Sequence, residues 1–168
     1  MKIFFIGFMG TGKTHSGKQL SEKLGIPFFD LDEEIIAHDG KTINEIFETK
    51  GEEYFRLLEK DVLHIIAEYN ESFVMACGGG TPCFYNNIDY MNNEGISIWL
   101  NTPLDTLYAR LINEKEKRPL IKELTSEQLR GYIAKKFSDR KIFYEQASIV
   151  IDEDPVRLET IVEKIFHA

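Results

Sequence analysis

Gly7-Phe8-Met9-Gly10-Thr11-Gly12-Lys13-Thr14 matches G-x-x-x-x-G-K-[ST] at every fixed position. Glycines let such a loop bend until successive backbone N–H groups point inward at phosphate oxygens. Lys13 supplies a point charge for the β- and γ-phosphates, and the Thr14 hydroxyl suits Mg²⁺. An apolar run, Ile3–Ile6, precedes the loop, and an amphipathic segment from about Thr14 to Leu24 follows it. A strand, a tight loop and a helix N-terminus in that order form a site for a nucleoside triphosphate.

Four further groups could act at the mouth of this loop. Asp30-Leu31-Asp32 ends the second apolar run; on an extended segment residues two apart project the same way, so both carboxylates would face the loop. The alternative for Asp30 is a helix N-cap before Glu33–His38. Gly78-Gly79-Gly80 follows the third run and is either a backbone close to a ligand or a plain turn. Arg56 stands three residues before Glu59, as in many surface i,i+3 pairs, and Arg140 alone would read as a solvated helix residue. Arginine is also the natural clamp for a carboxylate, because its planar fork donates two parallel hydrogen bonds. A GTPase's Asn-Lys-x-Asp is missing: Asn101-Thr102-Pro103-Leu104-Asp105 lacks the Lys and puts its Asp one residue too far.

Short apolar runs must carry these groups. Ile3–Ile6, Pro27–Asp30, Phe73–Cys77, Ile96–Leu100 and Ile149–Asp152 read as strands covered on both faces. Helices fall between them. Thr42-Ile43-Asn44-Glu45 fits a capping box with Ile43, Ile46 and Phe47 as its buried face, and Thr125-Ser126-Glu127-Gln128 fits a second. Phe55, Leu58, Val62, Ile65, Ile66 and Tyr69 recur at helical spacing. Asp154-Pro155 reads as an N-cap with proline at the first helical position. The charged run Asn113–Pro119 reads as a loop that could serve as a lid. Strands alternating with helices give an α/β fold with a mostly parallel sheet.

The chain has 168 residues, which suits one domain, and 20 Lys+Arg against 28 Asp+Glu leave a net charge of −8. That balance argues against a nucleic-acid or membrane-surface binder. No apolar run has the length of a membrane span, and Met1–Gly7 is too short for a signal peptide. Two cysteines, Cys77 and Cys83, make no disulfide framework. A reduced, cytoplasmic protein is expected, and a monomer, since no long exposed apolar stripe is evident.

Taken in order, these motifs resemble the shikimate kinase family. That family carries a phosphate loop, D-x-D, F-R-x-x-E, Gly-Gly-Gly after the third strand, Arg-Pro-Leu in a lid and a late arginine. Here they are Gly10–Thr14, Asp30/Asp32, Phe55-Arg56-Leu57-Leu58-Glu59, Gly78–Gly80, Arg118-Pro119-Leu120 and Arg140. The resemblance implies a three-layer P-loop fold with a parallel sheet in the order 2-3-1-4-5, an acceptor-binding segment over about residues 31–60 and a lid over about 112–124. It implies ATP-dependent phosphorylation of the 3-hydroxyl of shikimate. Lys13, Asp32 and Arg118 would be catalytic. ATP would rest on Gly10, Thr11, Gly12, Lys13, Thr14, His15, Arg110 and Arg118, with Arg110 beside the adenine. Shikimate would rest on Asp32, Arg56, Gly78, Gly79, Gly80 and Arg140. Thr14 would hold Mg²⁺ directly and Asp30 through water. The loop departs from the family in ending Gly-Lys-Thr-His; Thr14 keeps the hydroxyl, and His15 needs only its backbone N–H. A gluconate-type or nucleoside-monophosphate kinase is the nearest alternative, and a non-catalytic ATP-binding switch is the alternative from another class.

Overall fold

The protein was analysed as a computed structural model that describes residues 1–118 and 120–167. Pro119, the middle of the Arg-Pro-Leu expected in the lid, and Ala168 lie outside the described residues. Strands β1 (Lys2–Ile6), β2 (Phe28–Asp30), β3 (Phe73–Ala76), β4 (Ile96–Leu100) and β5 (Ile149–Ile151) form one sheet in the order β2-β3-β1-β4-β5, with every pairing parallel. This is the order expected above. The central strand β1 pairs Phe4 with Met75 on one side and with Ser97 on the other.

Alternation divides the core between the two faces of the sheet. Phe4, Ile6, Phe73 and Met75 pack with residues of α2 (Leu31–Asp39), α3 (Ile43–Tyr69), α4 (Asn87–Glu94) and α6 (Ser126–Tyr144). Ile3, Phe5, Val74 and Ile98 pack against α1 (Lys13–Leu24) and α7 (Leu158–Phe166). A third cluster joins Phe8 to α5 (Leu104–Glu114), to α6 and to Ile121 of the lid segment. Trp99 lies in the first cluster, as an internal strand residue should. All five strands end at one edge of the sheet, and the loops beyond that edge carry the chemistry.

Local signals differ from the sequence reading in four places. The reciprocal capping box forms at Thr125 but not at Thr42, where the hydroxyl accepts from the Glu45 N–H (3.2 Å) and faces the Glu45 carboxylate (3.1 Å). The last helix starts at Leu158 rather than at Pro155, and Arg157 is its N-cap residue. Asp154 does not cap it; its carboxylate is taken by Arg110 at 2.6 Å. The charged run is largely ordered helix, because α5 continues to Glu114 and a 3-10 turn covers Lys115–Lys117. Lys115 closes the segment by donating to the Leu124 carbonyl at 2.6 Å, over the buried Ile121.

In α3, Ile65 and Tyr69 are exposed, although their spacing suggested core. The helix buries Phe55, Arg56, Glu59, Val62, Leu63 and Ile66 instead. A charged pair occupies part of the face where a periodic pattern counts only apolar residues. With Tyr54 and Leu57, the displaced residues form an exposed apolar stripe, interrupted by Asp61, which the sequence reading had not found. No helix among the described residues is long and apolar enough to cross a membrane.

Gly95, between α4 and β4, is required by close approach, since a Cβ there would overlap the backbone carbonyl of Lys2. Backbone cannot swing aside as a side-chain tip can. Gly95→Ala is expected to destabilise the protein by about 1–3 kcal/mol, read as a lower urea midpoint; an unchanged midpoint would contradict this packing.

Candidate active site

The loop after β1 forms the floor of the site. Gly10 and Gly12 adopt positive φ (+83° and +86°), which a side chain would strain, and Gly12 is the residue before α1. Thr11 is buried and donates to the Phe8 carbonyl at 3.0 Å, bracing the turn. The Lys13 ammonium curls back to donate to the carbonyls of Gly7 (2.7 Å) and Phe8 (2.8 Å). Burial lowers its pKa to about 8, and Asp32 offsets part of that fall. His15 is exposed on the first turn of α1.

The two aspartates are placed by a helix start and not by strand alternation. Asp30 is the N-cap of α2, accepting from the Glu33 N–H at 3.2 Å, while its other oxygen accepts from the Thr14 hydroxyl at 3.1 Å. The cap and the link to the phosphate loop therefore coexist, where the sequence posed them as alternatives. Asp32 lies in the first turn of α2 rather than on an extended segment. Its pKa is pushed up to about 6, chiefly by burial, then by Asp30 and Glu59, with Lys13 and Arg56 pulling it down.

Beside Asp32 lies a buried charged pair. Arg56 donates to Glu59 at 3.0 Å, and Glu59, 1% exposed, also accepts from the Thr81 hydroxyl at 2.8 Å. This is not the solvated i,i+3 pair that sequence alone allowed. The guanidinium lies over the Phe84 ring at 4.3 Å, and a Cβ on Gly80 would come within 2.6 Å of it. Arg140 approaches the same turn from α6, 3.0 Å from where a Gly79 Cβ would stand. Burial raises the Glu59 pKa, against Arg56 and Thr81. Cys77, just before the glycines, is pushed well up by burial, so its thiol stays protonated and inert.

Two cavities meet here. One, of about 810 Å³, is lined by Gly10 to Ser16, Asp30, Arg110, Arg118 and the Asp154–Val156 stretch. The other, of about 510 Å³, is lined by Arg56, Glu59, Gly80 and Arg140, with Ile36, Ile43, Phe47 and Phe55 as an apolar wall. Met9, Asp32, Gly78, Gly79 and Arg118 line both. Every residue expected to bind the nucleotide lines the first cavity, and every residue expected to bind the acceptor lines the second. Arg110 donates to the Gly10 carbonyl (3.0 Å) and to Asp154 (2.6 Å), tying the phosphate loop to the later loop. Arg118 is paired with Glu114 through Nε (3.1 Å) and Nη2 (2.9 Å).

Sequence reasoning missed the apolar wall, Lys117 on the rim of the second cavity, and Tyr144. Tyr144 did leave a signal, because it follows Arg140 by four residues and so shares its helix face. Glu59 was noticed only as a partner of Arg56 and as part of a motif, since nothing in sequence shows that a carboxylate is buried.

Comparison with known proteins adds an independent line. The sequence pattern of the shikimate kinase family matches residues 9–168. The shikimate kinase of Parabacteroides distasonis is 38% identical over 167 residues, 99% of this chain and 96% of the relative. That of Azobacteroides pseudotrichonymphae is 41% identical over 164 residues, 98% of this chain and 96% of the relative. The crystal structure of shikimate kinase from Bacteroides thetaiotaomicron superposes with a TM-score of 0.88 at 35% identity, covering 100% of this chain and 99% of the other. Shikimate kinase from Acinetobacter baumannii in complex with shikimate gives 0.85 at 33% identity, covering 99% and 90%.

The Asp32 environment makes a prediction independent of any reaction. Its folded-state pKa, about 6 against an ordinary 3.8, means that the native state holds the proton more tightly, so stability falls as pH rises through that interval. Asp32→Asn removes the charge and is expected to raise unfolding free energy at pH 7 by about 1–3 kcal/mol, a gain that disappears below about pH 4. Carboxyl ¹³C NMR should place the Asp32 inflection near 6; titration at an ordinary carboxylate pKa would contradict the assignment.

Proposed function

Because the chain belongs to the shikimate kinase family, we propose how its residues divide the work of one reaction: ATP-dependent phosphorylation of the shikimate 3-hydroxyl, giving shikimate 3-phosphate and ADP. The product leads towards chorismate and the aromatic amino acids. One observation carries the proposal. A cavity built on a phosphate loop shares Asp32 and Arg118 with an adjoining cavity that holds Arg56 and Arg140. A donor phosphate and an acceptor hydroxyl can meet only at such a junction.

In phosphoryl transfer the protein contributes positioning and electrostatics more than covalent chemistry. The phosphates of ATP lie on the Gly10–Gly12 amides and the first turn of α1, including the His15 N–H. Lys13 exchanges its loop carbonyls for phosphate oxygens. Arg118 leaves Glu114 to do the same, and Arg110 flanks the adenine. Arg56 and Arg140 clamp the acceptor carboxylate, the Gly79 N–H contacts the acceptor, and the apolar wall covers its ring. Asp32 orients the attacking hydroxyl and takes its proton; a carboxylate with pKa near 6 is a better base than an ordinary one and still ionised at neutral pH. Closure of residues 112–124 over the junction excludes water and so suppresses ATP hydrolysis.

The residues present fit Mg²⁺. Thr14 and Asp30 offer hard oxygen donors 3.1 Å apart beside the phosphate loop, and no cluster of three acidic, His or Cys ligands occurs among the described residues. Mg²⁺ characteristically takes one or two protein oxygens, keeps several waters and completes its shell with phosphates. Thr14 would hold the ion directly and Asp30 through water. When bound, the ion neutralises charge on the phosphates. The proposed reaction calls for no group from a second copy, and the protein is proposed to act as a monomer in the cytoplasm on small molecules, without nucleic acid or membrane.

A coupled ADP-release assay with shikimate, quinate, gluconate and no acceptor tests the assignment. Release is expected to depend on shikimate; equal release without an acceptor, or a preference for gluconate, would count against it. Arg140→Ala should raise the KM for shikimate by at least about tenfold, the scale of a lost charge-assisted hydrogen bond, and leave that for ATP within about twofold. Asp32→Asn should lower kcat by well over about tenfold with ATP still bound, as expected for loss of a general base.

A further inference from the structure

Gly79 forms part of the wall between the two cavities. A Cβ there would stand 3.0 Å from Arg140 Nη1, 3.6 Å from the Met9 amide nitrogen and 3.8 Å from the Gly7 carbonyl, so the phosphate loop and α6 enclose it. Its own carbonyl accepts a hydrogen bond of 2.6 Å from the Tyr144 hydroxyl. Tyr144 is fully buried, stacks on Trp99 with ring centroids 5.7 Å apart, and also packs against Phe137. It stands on α6 four residues after Arg140, one helical turn along the same face.

We propose that Tyr144 is a positioning residue for the acceptor: its hydroxyl fixes the Gly79 peptide, so that the Gly78–Gly80 turn and Arg140 present one rigid surface to the substrate. A peptide unit is planar, so holding the Gly79 carbonyl on α6 fixes the Gly80 N–H of the same unit and leaves only the Gly79 φ and ψ between that anchor and the Gly79 N–H. The far end of the turn is held separately. There the Thr81 hydroxyl donates to Glu59, and the Thr81 N–H donates to the Gly78 carbonyl at 3.2 Å. The Cys83 N–H also donates to the Gly80 carbonyl at 3.0 Å, so without Tyr144 it is the Gly79 carbonyl that loses its hold, inside a run of three glycines, the residues with the most backbone freedom to lose. Burial raises the Tyr144 pKa strongly, so the hydroxyl remains a donor throughout the working pH range. The ring sits in the core beneath the turn and lines neither cavity, so Tyr144 acts through Gly79 and Arg140 and not by touching the substrate.

The inference rests on the reading that the acceptor lies against the glycine turn, and the test separates the two. Tyr144→Phe keeps the ring, its packing on Trp99 and the core volume, and deletes the hydroxyl with its bond to the Gly79 carbonyl and its interaction with the Arg140 side chain. Gly79→Ala alters the turn itself. Steady-state kinetics with shikimate and ATP varied separately is run on both variants and on the wild type. Tyr144→Phe is expected to raise the KM for shikimate about three- to tenfold, the scale of one lost buried hydrogen bond, with the KM for ATP unchanged. Gly79→Ala is expected to raise it further, again without affecting ATP. If Gly79→Ala raises the shikimate KM and Tyr144→Phe does not, the positioning role is overturned and the acceptor site stands. If neither variant moves it, the acceptor does not lie on the turn and both readings fall. An equal rise in both KM values, or a lowered Tm with unchanged KM values, makes Tyr144 a structural residue and overturns the inference.

Discussion

The acceptor pocket is organised around a buried carboxylate, Glu59. An unpaired carboxylate at that depth would cost several kcal/mol or would take up a proton. Glu59 is held by the Arg56 guanidinium and the Thr81 hydroxyl, and each bond constrains a different element. Arg56 is held beside Glu59 on α3, so close to the turn that a Cβ at position 80 would displace its guanidinium. Thr81 begins a 3-10 turn over Thr81–Cys83, and its carbonyl accepts from the Asn87 side chain at the start of α4 (2.9 Å). One buried charge thus locks a helix, a glycine turn and a second helix into one frame, and the arginine is aimed before any substrate arrives.

The other arginines of the cleft are held differently. Arg110 and Arg118 pair with Asp154 and Glu114, and both of their side chains are 36% exposed, against 10% for Arg56. Exposed pairs contribute roughly 0–1 kcal/mol and exchange partners at little cost. The pair beside the glycine turn is buried, and the two pairs on the nucleotide side lie nearer the surface. The same logic reconciles a net charge of −8 with a site for anions. Lys13, Arg56, Arg110, Arg118 and Arg140 converge on two joined cavities, whereas most carboxylates lie outside them. Where carboxylates do enter, burial raises the pKa values of Asp32 and Glu59, and at Asp32 the neighbouring Asp30 and Glu59 add to the rise.

Much of this was legible in the chain. The phosphate loop announces itself because its glycines and lysine act through backbone geometry that local sequence determines. The strands were readable because burial on both faces makes them continuously apolar. The failures share one cause: they depend on what stands opposite in space. Asp154 looked like a helix cap, but Arg110, 44 positions away in sequence, takes its carboxylate. Ile65 and Tyr69 fitted the apolar period of α3, yet the buried face belongs partly to Arg56 and Glu59, which no hydrophobic pattern would select. Asp32 reached the cleft as expected, but from a helical turn. The wall of Ile36, Ile43, Phe47 and Phe55 is assembled from two helices and has no sequence motif.

The most direct test of this account is calorimetric titration of shikimate into Glu59→Gln, with a non-hydrolysable ATP analogue titrated in parallel. Glutamine keeps the shape and an accepting oxygen but loses the charge that holds Arg56. The account predicts shikimate binding weakened by about tenfold or more, because the arginine is no longer fixed, and nucleotide binding within about twofold of the wild type. Unchanged shikimate affinity, or an equal loss for both ligands, would contradict the claim that this buried carboxylate organises the acceptor pocket.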